Sequence, residues 1–244
     1  MIGTAVRTAF TALGVALLAS GGAPAQAQDY AAIVAAPDRT DADRNNDKKR
    51  KPEQMMAFTG VKTGMKVMDI VSSGGYSAEL LARAVGPTGT VYAVNSKATA
   101  EKAKDRFEPR LAKVKNLVAV TREYADPVPP EASHLDLVTI YFSYHDLVHS
   151  EVDRAAMNKK VFAALKPGGH YVVADHSAKA GDGLTVTRTL HRIEEAALRK
   201  EIEAAGFKLV AEGNFLRNPD DTRDTNVNRS TTPNDEFVLK FQKP

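Results

Sequence analysis

Val67-Met68-Asp69-Ile70-Val71-Ser72-Ser73-Gly74-Gly75-Tyr76 is the stretch on which the reading of this chain turns. Lys66 to Val71 reads as a short strand, and the polar, glycine-bearing exit Ser72-Ser73-Gly74-Gly75 leads into a helical pattern from about Ser77 to Val85. A glycine pair between a strand and a helix lets backbone approach a ligand closely, and the helix amino terminus offers unpaired N–H groups. That end suits a carboxylate-bearing ligand.

Downstream the same alternation repeats. Gly86, Pro87 and Gly89 stop the helix, Thr90 to Val94 makes a second strand, Ala98 to Lys113 a charged helix, and Leu117 to Thr121 a third strand. The Pro127 to Pro130 link leads to a fourth strand, Leu135 to Phe142, whose nearly unbroken apolar character suits burial on both faces and a central place in the sheet. A helix around Val152 to Leu165 ends at Lys166-Pro167-Gly168-Gly169, after which His170 to Asp175 forms the fifth strand. Leu190, Ile193, Ala197, Leu198, Ile202 and Ala205 recur at a spacing near 3.6, which predicts one amphipathic helix from about Thr187 to Ala205. Phe207 to Ala211 and Phe237 to Phe241 are the last strands, separated by a long, mostly polar link. Strands alternating with helices predict an α/β fold with a parallel sheet.

Upstream, Asp29 to Lys51 is polar and interrupted by Pro37, with Pro52 just beyond, so it reads as an arm that wraps the domain without entering its core. Its basic run Lys48-Lys49-Arg50-Lys51 reads as solvated surface, with anion or headgroup binding as the alternative. Before Asp29 the one charged side chain is Arg7, and Ala9 to Ala19 is apolar or small apart from Thr11. That run is too short to cross a bilayer, and Ala25-Gln26-Ala27 resembles a signal-peptidase site. The expected organisation is therefore a signal peptide over 1–27, an arm over 28–55 and one domain over 56–244. The mature protein is expected to begin at Gln28, periplasmic or secreted, with no stable transmembrane anchor after processing. The 244 residues contain no cysteine, so core burial and not a disulfide framework must hold the fold, and a formal net charge of +3 is too balanced for a dedicated nucleic-acid binder.

Doubly wound sheets bind ligands outside the carboxyl ends of their strands, where strand order reverses. That edge collects Asp69 with Ser72, Ser73, Gly74 and Gly75, then Asn95, Asp126, His145 with Asp146, and Asp175 with His176. Asp136 and His170 open their strands and are read as structural. His145 is the first candidate for a general base, with Asp146 orienting it, and His176 beside Asp175 is the second; a His-Asp neighbour that merely pins a loop is the competing reading. His145 and His149 would share a metal if that segment were helical, as would His145 with Asp175 and His176. With no cysteine and no recognised two-histidine-plus-carboxylate motif, no metal is expected. His191 and Arg192 are placed at the border of an acceptor pocket, with pairing of Arg192 to Glu194 or Glu195 as the alternative.

The run from Val67 to Tyr76 resembles the first S-adenosylmethionine (SAM) motif of class I methyltransferases, Asp-x-Gly-x-Gly-x-Gly, and Leu165-Lys166-Pro167-Gly168-Gly169 resembles the turn those enzymes place before strand five. With Tyr144-His145-Asp146, Asp175-His176, Leu190-His191-Arg192-Ile193 and Leu216-Arg217-Asn218-Pro219, the chain is similar to a bacterial group of exported, predicted methyltransferases of unassigned substrate. The resemblance implies a Rossmann-like, seven-stranded sheet of order 3-2-1-4-5-7-6 with its last strand antiparallel. It implies SAM as cofactor, its methionine end on Asp69 and the Ser72 to Gly75 turn, its ribose on Asn95 and its adenine near Asp126. Val71 and Ser73 stand where the motif has glycines, and Asn95 where it has an acid, so Asn95→Asp is expected to tighten binding. The activity implied is methyl transfer to a small or envelope-associated acceptor; the alternative is a non-catalytic periplasmic binding or accessory protein that keeps the fold.

Overall fold

The computed structural model describes residues 1–3 and 28–244. The expected leader, with the apolar run and the Ala25-Gln26-Ala27 site, lies outside the described residues apart from its first three. Among the described residues no helix is long and apolar enough to cross a membrane.

The chain runs α1 (Tyr30–Val34), α2 (Asp41–Arg50), α3 (Pro52–Thr59), β1 (Lys66–Ile70), α4 (Tyr76–Val85), β2 (Thr90–Asn95), α5 (Lys97–Lys113), β3 (Leu117–Thr121), β4 (Leu135–Tyr141), α6 (Tyr144–His149), α7 (Arg154–Ala164), β5 (Leu165–His176), α8 (Thr187–Leu190), α9 (Glu195–Glu203), β6 (Lys208–Gly213) and β7 (Glu236–Gln242). The seven strands form one sheet of order β3-β2-β1-β4-β5-β7-β6. Pairings among β1 to β5 are parallel, while β7 runs antiparallel to both β5 and β6. The strand order reverses at β1 and β4, which places the exits of those two strands side by side.

Alternate residues feed two apolar layers. Met68, Val138, Val173 and Leu239 face one, and Val67, Leu137, Val172 and Val238 face the other. Each such side chain, fully buried, contributes about 1.5–3 kcal/mol, so the sheet centre is the rigid part on which the exit loops are mounted.

Three segments differ from expectation. The arm is helical, although α2, Asp-Ala-Asp-Arg-Asn-Asn-Asp-Lys-Lys-Arg, has almost no apolar side chain to bury. It is stabilised instead by a capping box in which Thr40 and Asp43 satisfy each other's backbone N–H groups, by the basic last turn facing the helix dipole, and by ion pairs. Arg39 grips Asp47 through two bonds of 2.7 Å, and Arg110 reaches Asp43 at 2.6 Å. The basic run is not uniformly solvated: Arg50 stacks on the Phe142 ring at 3.5 Å, and Lys51 donates to the Phe215 carbonyl.

The helix expected from Thr187 to Ala205 is broken between α8 and α9. His191 takes the left-handed conformation, with φ 52°, and Ile193 bridges to Ser177. Arg192 is fully buried and points into the link after β6, where it pairs with Asp221 at 2.7 Å and not with Glu194 or Glu195. That link, 217–234, has neither helix nor strand and is held by side chains. Finally, α6 is an additional short helix over a segment with no clear sequence period.

Candidate active site

Asp69 sits on β1 with its side chain buried, at 1% exposure. Its carboxylate accepts from the Thr139 hydroxyl at 2.6 Å, Ser77 at 2.7 Å and Ser72 at 2.9 Å. Burial raises its pKa, and the three hydroxyls act against that. The motif acid therefore builds the turn from behind: it fixes Ser72 in the exit loop, Ser77 in the first turn of α4 and Thr139 on the neighbouring strand.

The turn keeps the backbone of a glycine-rich loop without the glycines. Val71 has φ 59° and Ser73 φ 48°, both in the left-handed region that glycine enters freely, and Gly75 follows at φ 78°. A β-branched residue there is strained, at a cost on the order of 1–3 kcal/mol. The sheet and Asn95 hold the strained form in place. The Asn95 amide accepts from Ser73 N–H at 2.8 Å and donates to Ser73 C=O at 3.1 Å, clamping both backbone polar groups of that one residue.

Asn95 thus serves the loop and does not line the cavity described next. Asn95→Asp would replace the donor by an acceptor aimed at a carbonyl oxygen, a mismatch that costs about 1–3 kcal/mol when buried. The expected result is a less stable protein, read as a lower urea midpoint, and not the tighter binding that the motif comparison implies. An unchanged midpoint would remove the clamp.

A cavity of about 670 Å³ opens at the exits of β1 and β4, inside the ~300–1,000 Å³ range of small-molecule sites. Its floor is Val71 to Gly74 and Tyr141 to Ser143, and its other walls come from α2, α3, α4 and the second half of α5. Of the residues singled out for the cofactor, Ser72, Ser73 and Gly74 line it. Gly75 is covered by α5, since a Cβ there would lie 2.7 Å from the Phe107 ring. Asp126 lies outside the lining, in ion pairs with Arg122 and with Lys160 at 3.5 Å.

The walls are mixed in character. Met55, Met56, Leu80 and Phe142 supply apolar surface, while Arg106 crosses the Gly74 backbone and Arg110 donates to the Gly74 carbonyl at 2.7 Å. The Tyr141 hydroxyl is buried in the wall with no hydrogen-bond partner. Burial, then the nearby Asp69 charge, raises its pKa well above 10, so it is a neutral donor awaiting an acceptor.

A second group gathers beside the cavity at the exits of β4 and β5. His145 is 3% exposed, and its Nδ1 lies 2.7 Å from Asp175 Oδ1, while Asp175 also accepts from the backbone N–H of His145 and His176. On the other side His145 Nε2 lies 3.2 Å from Asp146 Oδ1 and 3.3 Å from His191 Nδ1. Burial disfavours its charged form, but Asp175 and Asp146 outweigh that and hold the imidazole up to about 10. Both ring nitrogens are engaged and the residue is absent from the cavity lining, so no proton-accepting nitrogen faces the cavity.

His176 stacks near Phe142, at 5.3 Å between centroids; its Nδ1 lies 2.9 Å from Glu236 Oε1 but misaligned for a hydrogen bond. The sequence brought His145, Asp146, Asp175 and His176 to one edge and set His191 at the border of a pocket; the structure turns His191 onto His145 and Asp146 through the break before α9, a contact with no local sequence signal.

The sequence profile of the ubiE/COQ5 methyltransferase family matches residues 45–192, more than half of the chain. The chain belongs to this family. It is 31% identical over 123 residues to the Ubiquinone/menaquinone biosynthesis C-methyltransferase UbiE of Cupriavidus necator, a match covering 50% of this chain and 47% of the relative. The chain thus spans about half the length of the curated relatives it matches. Among solved structures, a SAM dependent methyltransferase from Aquifex aeolicus superposes with TM-score 0.59 at 17% identity, covering 83% of this chain and 97% of that one. The cyclase SpnF superposes with TM-score 0.60 at 16% identity, covering 80% and 81%. These likenesses establish the methyltransferase fold, which in a methyltransferase and a cyclase accompanies different activities.

Proposed function

We propose that this member of the ubiE/COQ5 family is an exported SAM-dependent methyltransferase acting on a small, largely apolar acceptor. The observation that carries the reading is the cavity against the Ser72 to Gly74 turn at the switch in strand order. Its residues fit the amino-acid end of SAM. Arg106 and the backbone of Ser73 and Gly74 would receive the carboxylate, and Tyr141 offers its unpaired hydroxyl.

SAM supplies an activated methyl group, so the protein's task is alignment and exclusion of water more than covalent work. Met55, Met56 and Phe142 form the apolar wall that would position an acceptor, and the relatives' name, which places them in ubiquinone and menaquinone biosynthesis, fits an acceptor of that character. His145, doubly bonded outside the cavity, acts on structure and not on the acceptor proton.

Export rests on the apolar run from Ala9 to Ala19 and on Ala25-Gln26-Ala27. Expression in a bacterium with an export pathway should yield a periplasmic product whose mass begins at Gln28; an intact, cytoplasmic chain would end that part of the reading.

Ligand binding is tested by thermal denaturation with SAM and with S-adenosylhomocysteine. At 100 times the dissociation constant either ligand should add about 2.7 kcal/mol, and Arg106→Ala should weaken the effect. No change with either ligand at millimolar concentration would refute the cofactor assignment and favour a binding or accessory role.

A further inference from the structure

We infer that His145, Asp146 and His191 form a binding site for a divalent transition-metal ion, best matched by zinc, at the exits of β4 and β5. Their three facing atoms make a nearly equilateral triangle: His145 Nε2 to Asp146 Oδ1 is 3.2 Å, His191 Nδ1 to His145 Nε2 is 3.3 Å, and His191 Nδ1 to Asp146 Oδ1 is 3.3 Å. Zinc binds imidazole nitrogen and carboxylate oxygen at about 2.0–2.1 Å in tetrahedral geometry, which sets adjacent ligand atoms about 3.3 Å apart. All three edges fall on that value. As hydrogen bonds they sit at or past the long end of the ~2.7–3.2 Å range.

The surroundings point the same way. Asp175 is fully buried and engages Nδ1 of His145, so Nε2 is the nitrogen turned toward the Asp146 oxygen. In the metal-free chain a proton joins these two atoms, and a bound ion would take its place. A proton serves two atoms, but His191 Nδ1 converges on the same point, and one metal ion satisfies all three. The Asp175-His145 bond is the carboxylate-histidine support that metal-bound imidazoles use to fix tautomer and ring orientation.

A fourth ligand is at hand. His149 stands one turn after His145 on α6, its Nε2 is 3.8 Å from Asp146 Oδ1, and its Nδ1 is buried without a partner. Its ring meets that of His191 edge to face with centroids 5.6 Å apart. Asp146 and His191 have 43% and 30% of their side-chain surface exposed, which leaves a path for the ion. Four of the chain's six histidines, 145, 149, 176 and 191, lie at this edge, so the cluster is not a general richness in histidine. The ion would fasten α6 to the left-handed turn at His191, and the motif expected for a metal was absent because its ligands come from two distant segments.

The test uses the purified full chain, stripped with a chelator and titrated with zinc by calorimetry, with cobalt as a spectroscopic substitute. One ion per chain, visible absorption bands of tetrahedral cobalt, and at least a 100-fold loss of zinc affinity in His191→Ala are expected. Asp175→Asn, a positioning change, should cost 10–100-fold in affinity, and His134→Ala should cost nothing. Circular dichroism of His191→Ala confirms that its fold is kept; should that variant unfold, His149→Ala with the cobalt spectrum takes its place, expected to weaken or alter the bands. Absence of stoichiometric zinc, or binding unaffected by both substitutions, would overturn the site.

Discussion

Arg192→Met is expected to destabilise the protein by about 3–5 kcal/mol, the cost of leaving a buried partner charge uncompensated. The native guanidinium is fully buried and uses all five N–H donors: two on Asp221 at 2.7 and 3.2 Å, one on Asn234 at 3.1 Å, and one each on the carbonyls of Thr225 and Ser177 at 3.0 Å. Methionine keeps the aliphatic bulk and removes every donor, leaving the Asp221 carboxylate with backbone partners alone. Because four of the five bonds reach into residues 221–234, the loss is local before it is global. Trypsin should then cut at Arg217, Arg223 or Arg229 under conditions that leave the native chain whole. A link that stays resistant, with stability within about 0.5 kcal/mol of the native value as for an ordinary surface change, would show that Arg192 does not hold it.

Arg110→Met is expected to cost about 3 kcal/mol or more by the same reasoning, but in the helical arm and not in the link after β6. Arg110 joins three elements: it pairs with Asp43 of α2 and Glu79 of α4, and it donates to the Gly74 carbonyl. Both carboxylates are nearly excluded from solvent, at 3% and 2% side-chain exposure. Burial opposes the ionisation of Asp43, and Arg110 more than offsets it, holding that carboxyl below its usual range. Glu79 retains Arg83 at 2.7 Å after the substitution, whereas Asp43 keeps only capping contacts. The arm should therefore exchange its amide hydrogens faster while the sheet stays protected. Adding Asp43→Asn to Arg110→Met should recover part of the loss, since it removes the stranded charge; strict additivity of the two changes would show that they are not coupled.

Both arginines explain what the sequence displayed and what it withheld. The strands were legible because β-branched runs are bounded by Gly86-Pro87, by Pro127 to Pro130 and by Pro167-Gly168-Gly169, local signals that need no tertiary contact. Their boundaries fell within a residue or two except at β5, which extends back through the Lys166 to Gly169 turn to Leu165. The break at His191 was hidden because the apolar spacing from Leu190 to Ala205 continues across it. What decides the break is the burial of Arg192 among residues 29 to 42 positions later, a contact with no local trace.

The same distinction holds at the site. The placement of Ser72, Ser73 and Gly74 on the cavity floor follows from the strand-to-helix turn and was readable. That Asn95 spends its amide on Ser73 was not, because composition says which groups a residue carries and not which way they point. The reading of 29–51 as an arm missed α2, because that helix lacks the apolar stripe by which surface helices are usually recognised and is held by the Thr40/Asp43 capping box instead. Val71 and Ser73 show the complementary case, in which side chains depart from the motif while the backbone retains its left-handed turn.

The claim beneath the functional reading is that an adenosyl ligand's amino-acid end occupies the space between the Ser72 to Gly74 turn and the helical arm. Hydrogen exchange of the full chain with and without S-adenosylhomocysteine measures this directly. Added protection confined to Val71 through Tyr76, α2, α3 and the Tyr141 to Ser143 exit is the predicted result. Unchanged exchange in all four segments at saturating ligand, or protection elsewhere on the molecule, would contradict it.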